Sequence, residues 1–319
     1  MNQSNAAAGA AGRPSWRKIV DFPLVALLIA LALFIGANMG VKLINDQLPT
    51  MDKVALTAIK TLIGITIITI VYKLAIRRLG EHPRDDLPAV GAAKQLGFGL
   101  LAGFLLFSLV VGVAALLDVY NIVGMGSVAE LAMITITVAI VPGFMEELLF
   151  RGILFRWLEE FGGSWFALAI TSALFGLAHY YNPNATAFSS FAIAVEAGIL
   201  LGGIYMLTRS LWAPIGLHAA WNFTQGFLWD VPVSGLDQHG LVEAKLSGPE
   251  LLSGGAFGLE ASVLALVPAT AVGIWLVVRA VQRGQLVRPW WVRRRLASQE
   301  AVGVDVNRDP DLGGPVQPA

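Results

Sequence analysis

The run Pro142-Gly143-Phe144-Met145-Glu146-Glu147-Leu148-Leu149-Phe150-Arg151 sets two adjacent carboxylates and an arginine among phenylalanines and leucines. On a helix, Glu147 and Arg151 are i, i+4 neighbours on one face and can pair. Glu146 is turned from them by about 100° and has no sequence-local partner. One acid is then neutralised as structure, and the other is free to act as a base. Pro142-Gly143 can break the helix and make room for water or substrate backbone. His179 closes the apolar run Phe175-Gly176-Leu177-Ala178-His179, and His218 and Asn222 stand i, i+4 apart after Pro214 and Gly216. A carboxylate and an imidazole sharing one water can remove its proton. A second imidazole and an amide can donate to the oxyanion of a tetrahedral intermediate. Together they suffice to hydrolyse an amide without a covalent intermediate. The chain has no Cys and no Ser in a nucleophile-elbow context, which favours water over a side-chain nucleophile. The same atoms admit another use, with Glu146, His179 and His218 as zinc ligands. Glu147 would then have to be the base, yet it is better placed to pair with Arg151, and there is no HExxH. The preferred reading requires no cofactor.

These residues need elements that hold them in an apolar medium. Of 319 residues 56% are hydrophobic and 14% charged, against roughly 45–50% and about 25% in soluble domains. A soluble enzyme is excluded by that balance, as is disorder over most of the chain. The 22 basic and 22 acidic residues cancel, which argues against a nucleic-acid partner. Apolar stretches fall at about 22–41, 54–75, 96–117, 127–145, 164–181, 187–208, 211–229 and 257–280. The expected fold is therefore an all-α, polytopic membrane helix bundle of about eight transmembrane helices. Eighteen of the 22 Lys and Arg fall in segments that alternating topology puts on one side, and three on the other. This bias places both termini in the cytoplasm. The expected organisation is a disordered tail over 1–16, N-terminal transmembrane helices over 17–124 and a catalytic core over 125–230. An outer loop and the last transmembrane helix follow over 231–284, then a basic, Trp-containing juxtamembrane segment and disordered tail over 285–319. Trp290, Trp291 and Arg293–Arg295 suit the headgroup level of an anionic leaflet.

Ionisable residues within spans are costly and are functional candidates by default. Besides the residues above, Glu196 lies within an apolar stretch, beside Gly198, Gly202 and Gly203, and is read as closer to structural. His82 and His239 fall in polar loops and are read as solvated. If the segments flanking Gly162-Gly163 form an antiparallel hairpin, Glu146 and His179 are equidistant from its turn, about 25 Å along. His218 lies only some 13 Å past Arg209 by the same rise. The two depths agree only if the hairpin protrudes into the cytosol.

EExxxR at Glu146-Glu147…Arg151, FxxxH at Phe175…His179 and HxxxN at His218…Asn222 occur in order on successive helices. They resemble the three motifs of the CPBP family, the CAAX proteases and bacteriocin-processing (Abi) enzymes, and the likeness covers about 125–230. The resemblance implies an intramembrane endopeptidase of the type II CAAX prenyl endopeptidase kind, in the cell membrane, with a site opening toward the cytoplasm. It implies that Glu146 and His179 activate water, that His218 and Asn222 form the oxyanion hole, and that Glu147 with Arg151 holds the site together. The expected partners are a membrane-associated peptide or protein substrate and the lipid bilayer. Two other functions use the same residues: a proton-coupled transporter, against which the absence of an internal repeat speaks, and a non-proteolytic scaffold of the same family.

Overall fold

A computed structural model describes residues 15–301. The expected disordered tails lie outside the described residues, except where 15–16 and 285–301 are placed. Ser15 and Trp16 open a short helix, α1 (Ser15–Val20). The apolar stretches form α2 (Pro23–Asn45), α3 (Lys53–Leu74) and α4 (Ala92–Leu116). Next comes a continuous 32-residue helix, α5 (Leu131–Gly162). It is followed by α6 (Ser164–His179), α7 (Ala187–Thr208), α8 (Trp212–Phe223) and α9 (Val263–Gln282). A last helix, α10 (Trp290–Ala301), carries the Trp pair and the basic cluster.

Six of these helices are long and apolar enough to cross a membrane, rather than the expected eight. The helix α6 has 16 residues, about 24 Å of rise against a hydrocarbon core of about 30 Å. The helix α8 has 12 residues and continues into a five-residue π-helical segment, Thr224–Leu228. The all-α expectation also needs one addition. Strands β1 (Tyr120–Met125) and β2 (Val242–Leu246) pair antiparallel, with an irregularity between Ile122 and Gly124. Outward-facing Leu28, Leu43, Leu62 and Trp275 are well exposed, as a lipid-facing surface requires.

The basic segments meet at one end of the bundle. Asp86, in the α3–α4 connection, is buried. It accepts hydrogen bonds from Tyr72 Oη (3.0 Å), Arg84 Nε (2.7 Å) and Tyr205 Oη (3.2 Å), and pairs with Arg156 at 3.4 Å. Glu159, also buried, takes Arg209 Nη1 at 2.5 Å and Ser164 Oγ at 2.6 Å. Arg293 of α10 reaches Glu160 at 2.8 Å, and Phe22 packs edge-on against Phe161 and Trp290. The tip of the α5–α6 hairpin is thus clamped into protein rather than left in solvent.

That hairpin turns at Gly163, whose φ of +85° is a left-handed value that glycine adopts without strain. Phe150 and Phe175, equidistant from the turn, touch edge to face at 4.8 Å. The two halves are therefore in the register that puts Glu146 level with His179. The helices α4 and α8 cross closely at Gly99, Gly103 and Gly216. A Cβ at Gly99 would lie 2.8 Å from Leu217 N, one at Gly103 2.9 Å from Trp221 N, and one at Gly216 2.9 Å from Leu100 N. Small residues at such crossings let backbones approach where no hydrophobic force drives helices together. Here they seat the helix that carries His218 and Asn222.

Candidate active site

The dipeptide Pro142-Gly143 does not break α5. The helix runs through it by widening into two π-helical segments, Thr135–Ile140 before it and Leu148–Phe155 beyond the acid pair. A proline supplies no N–H to the carbonyl four residues earlier, which here is that of Val138. Asn222 Nδ2 donates to that carbonyl at 2.9 Å. Gly143 contributes differently: a Cβ there would lie 3.0 Å from Ala219 Cβ, so its absence lets α5 and α8 touch beside His218. The local rule was read correctly, but its consequence is a bridge between helices rather than a gap.

Glu147 is 0% and Arg151 1% exposed, and Arg151 Nη1 donates to Glu147 Oε1 at 2.9 Å. The same oxygen lies 2.9 Å from His218 Nδ1, on a helix 71 positions away in sequence. Glu147 is therefore more than the arginine's counter-ion, because it also fixes which ring nitrogen of His218 faces the bundle and which faces away. Its Oε2 has no hydrogen-bond partner among the described residues. Arg151 is held further by the Ala197 carbonyl (3.2 Å) and by the Phe175 ring, 4.7 Å from its guanidinium carbon. Stacking on an aromatic face suits a guanidinium out of water. Phe175 in turn lies 4.6 Å, ring to ring, from His179.

His179 Nδ1 is 2.8 Å from the Phe175 carbonyl, which can only accept. Nδ1 is then the donor, and a neutral ring keeps its lone pair on Nε2. His179, His218 and Asn222 line one cavity. Glu146 does not line it. Its Oε2 is buried without a hydrogen-bond partner among the described residues. No three His, Asp or Glu side chains converge closely enough to hold a metal ion among the described residues, so Glu146, His179 and His218 are not gathered as a ligand set. His82 and His239 are exposed, apart from the site.

Two further groups were not singled out from sequence, and a third, Glu196, was read as closer to structural. Glu196 of α7, Ser234 and Glu260 line the same cavity. Ser234 and Glu260 come from the α8–α9 connection, which folds back into the bundle, and the Ser234 amide donates to Glu260 Oε1. Burial pushes the Glu260 carboxyl above its ordinary range, although the Ser234 hydrogen bond and the nearby His179 and His218 pull the other way. The signal for Glu260 was available: it is an acid within the apolar stretch 257–280, the criterion that singled out Glu196.

On the other face of α8, the helices α3, α4, α5 and α8 line an open apolar groove of about 570 Å³. Its walls include Ile65, Phe104, Phe144, Ala219 and Phe223.

Residues 128–224 match the family model described as Rce1-like, type II CAAX prenyl endopeptidase Rce1-like. That span holds all seven residues from which the family resemblance was drawn, and the match bears the resemblance out. No curated protein and no solved structure matches the chain.

Proposed function

We propose, from that match and the apolar helices around it, that the chain is an intramembrane endopeptidase hydrolysing a peptide bond in a membrane-associated protein or peptide. The observation that carries this reading is one chain of contacts, Arg151–Glu147–His218, which presents an imidazole to a cavity shared with His179 and Asn222. Water is the nucleophile. His179, with Nε2 free, takes its proton as it adds to the carbonyl carbon, and Glu146, whose buried oxygen is unpartnered, joins it as base once its side chain turns into the cavity. The oxygen that gains charge is met by the second amide hydrogen of Asn222 and by the outward nitrogen of His218. For His218 to donate there, both ring nitrogens must carry protons, and Glu147 balances that charge as the carboxylate of a hydrolase triad does. The proton taken from water then passes to the leaving amine. Arg151 holds Glu147 in place. The preferred mechanism uses no metal.

The apolar groove against the other face of α8 supports a substrate with a hydrocarbon portion, in keeping with the prenyl specificity in the family description. The meeting of the basic segments at one end supports a cell-membrane topology with that end and both termini toward the cytoplasm, while the cavity lies farther along the bundle, where the α8–α9 connection folds in.

The test is cleavage of membrane-anchored peptides by the purified protein in liposomes. Glu146→Gln, His179→Asn and His218→Asn should each lower turnover about 10²–10⁴-fold, the range for a general acid–base group or an oxyanion donor. Full activity in Glu146→Gln would refute the assignment of the water. Loss of activity on metal stripping, restored by zinc, would replace the metal-free mechanism. Proton-coupled uptake that needs Glu146, with no peptide cleaved, would identify a transporter.

A further inference from the structure

Two carboxylates that this hydrolytic reading does not use face the same cavity. Glu196 is 2% exposed, and its Oε2 has no hydrogen-bond partner among the described residues. Glu260 is 3% exposed, and Ser234 N donates to its Oε1. No Lys or Arg lines the cavity among the described residues. The guanidinium of Arg151 is committed to Glu147 and to the Ala197 carbonyl. The protein thus buries two acids in one chamber whose only groups able to carry positive charge, among the described residues, are the imidazoles of His179 and His218, both engaged in the hydrolytic reading. Buried charges persist when paired, and neighbouring carboxylates stay ionised together only with positive charge between them.

The wall around Glu196 is shaped for more than a bare ion. Ile193 and Leu200 stand three and four positions to either side of it on α7, on the same helix face, and both line the cavity. Phe175 and Trp221 add aromatic surface. An aliphatic and aromatic lining that ends in two carboxylates complements an alkyl stem with a positive head.

We propose that Glu196 and Glu260 form a specificity subsite for a lysine or arginine side chain of the substrate, next to the bond that is cut. The inference rests on the peptide-hydrolysing reading above and adds the substrate class. Glu196 supplies the unpaired oxygen, and Glu260, held by Ser234, supplies the second charge. His179 and His218, on the same cavity, keep the reacting carbonyl within a residue or two of the bound cation.

The experiment uses the full chain in liposomes and matched membrane-anchored peptides. These carry Lys, Arg, norleucine, Gln or Glu at each position flanking the cleaved bond. At one such position Lys or Arg should raise kcat/KM over norleucine by about 10- to 100-fold, the yield of one charge-assisted hydrogen bond in a dry site. Glu196→Gln and Glu260→Gln, which keep side-chain volume, should each reduce that ratio to within about threefold of unity. Equal rates for Lys, Arg and norleucine peptides would overturn the subsite and leave the hydrolytic reading standing. A preference that survives both substitutions would also overturn it. Cleavage of no peptide would overturn the hydrolytic reading and the subsite with it. If either variant fails to fold, the comparison of peptides on the wild-type protein decides alone.

Discussion

Replacing Asn222 by leucine, which has the same branching, removes the amide that serves the Val138 carbonyl at 2.9 Å. Both residues are buried, so water does not replace the donor. The cost is that of a stranded acceptor, about 1–3 kcal/mol. The carbonyl depends on Asn222 because residue 142 is a proline. Pro142→Ala puts an N–H four residues along the helix, where an α-helical bond to Val138 O can form. In that background the Asn222→Leu cost should fall below about 1 kcal/mol, leaving a coupling of about 1–2 kcal/mol. That exceeds the roughly 0.3–0.5 kcal/mol within which independent sites add. The four proteins of the cycle would be compared by reversible unfolding in mixed micelles, followed by tryptophan fluorescence. Additivity within 0.5 kcal/mol would refute the argument that the amide of Asn222 stands in for the missing proline N–H. The result does not depend on the reaction catalysed.

Two further outcomes follow from other parts of the bundle. Gly99→Ala or Gly103→Ala must part α4 from α8, since the new Cβ would sit 2.8–2.9 Å from backbone nitrogens. Each should destabilise by about 1–3 kcal/mol, whereas Gly112→Ala, with nothing within 4 Å, should be neutral or stabilising by up to about 1 kcal/mol. Equal effects at all three, in the same micelle assay, would refute the tight crossing. Asp85 is partly buried, which raises its carboxyl. Hydrogen bonds from Lys73, the Leu87 amide and Arg77 outweigh this and hold it below the usual carboxylate range. A depressed folded value gives stability that is complete above the unfolded value of about 3.9 and fades as pH falls through the folded one. Asp85→Asn should therefore be less stable at pH 7 by about 0.5–1 kcal/mol, a figure reduced for solvent screening of its 29% exposed side chain. The gap should close below about pH 4. A gap that widens on acidification would contradict the sign.

What the sequence made legible was local. The i, i+4 relation of Glu147 and Arg151 and the symmetry of the hairpin about Gly163 need only helical pitch. Phe150 meeting Phe175 shows how far such reasoning reaches. The bond of Glu147 to His218 was not legible, because it spans 71 residues and depends on Gly143 letting two helices touch. Asn222 was singled out by its spacing from His218, although its hydrogen bond answers a proline on another helix. The acid Glu260 was absorbed into an apolar stretch because its neighbours fixed the reading. The β1–β2 ribbon joins segments more than a hundred residues apart, and neither is a strong strand signal alone. The expected spans at α6 and α8 are shorter than a full crossing: α6 keeps an exposed apolar face, with Trp165 and Leu177 outward, whereas α8 is buried along most of its length.

Fourteen of the 32 residues of α5 lie in its two wide π-helical segments, and the acid pair sits on the seven-residue stretch between them. A wide turn behaves like a dislocation in a crystal row, holding a surplus residue without shifting the ends, which here stay anchored by the clamp around Glu159 and by the close approach at Gly143. Phase along such a row is counted in whole residues, each worth about 100°. Which of the two adjacent glutamates meets His218 is therefore fixed by the number of residues between Gly163 and the acids, so a gain or loss of one residue in Leu148–Phe155 would be felt as a rotation of the site and not as a change of length.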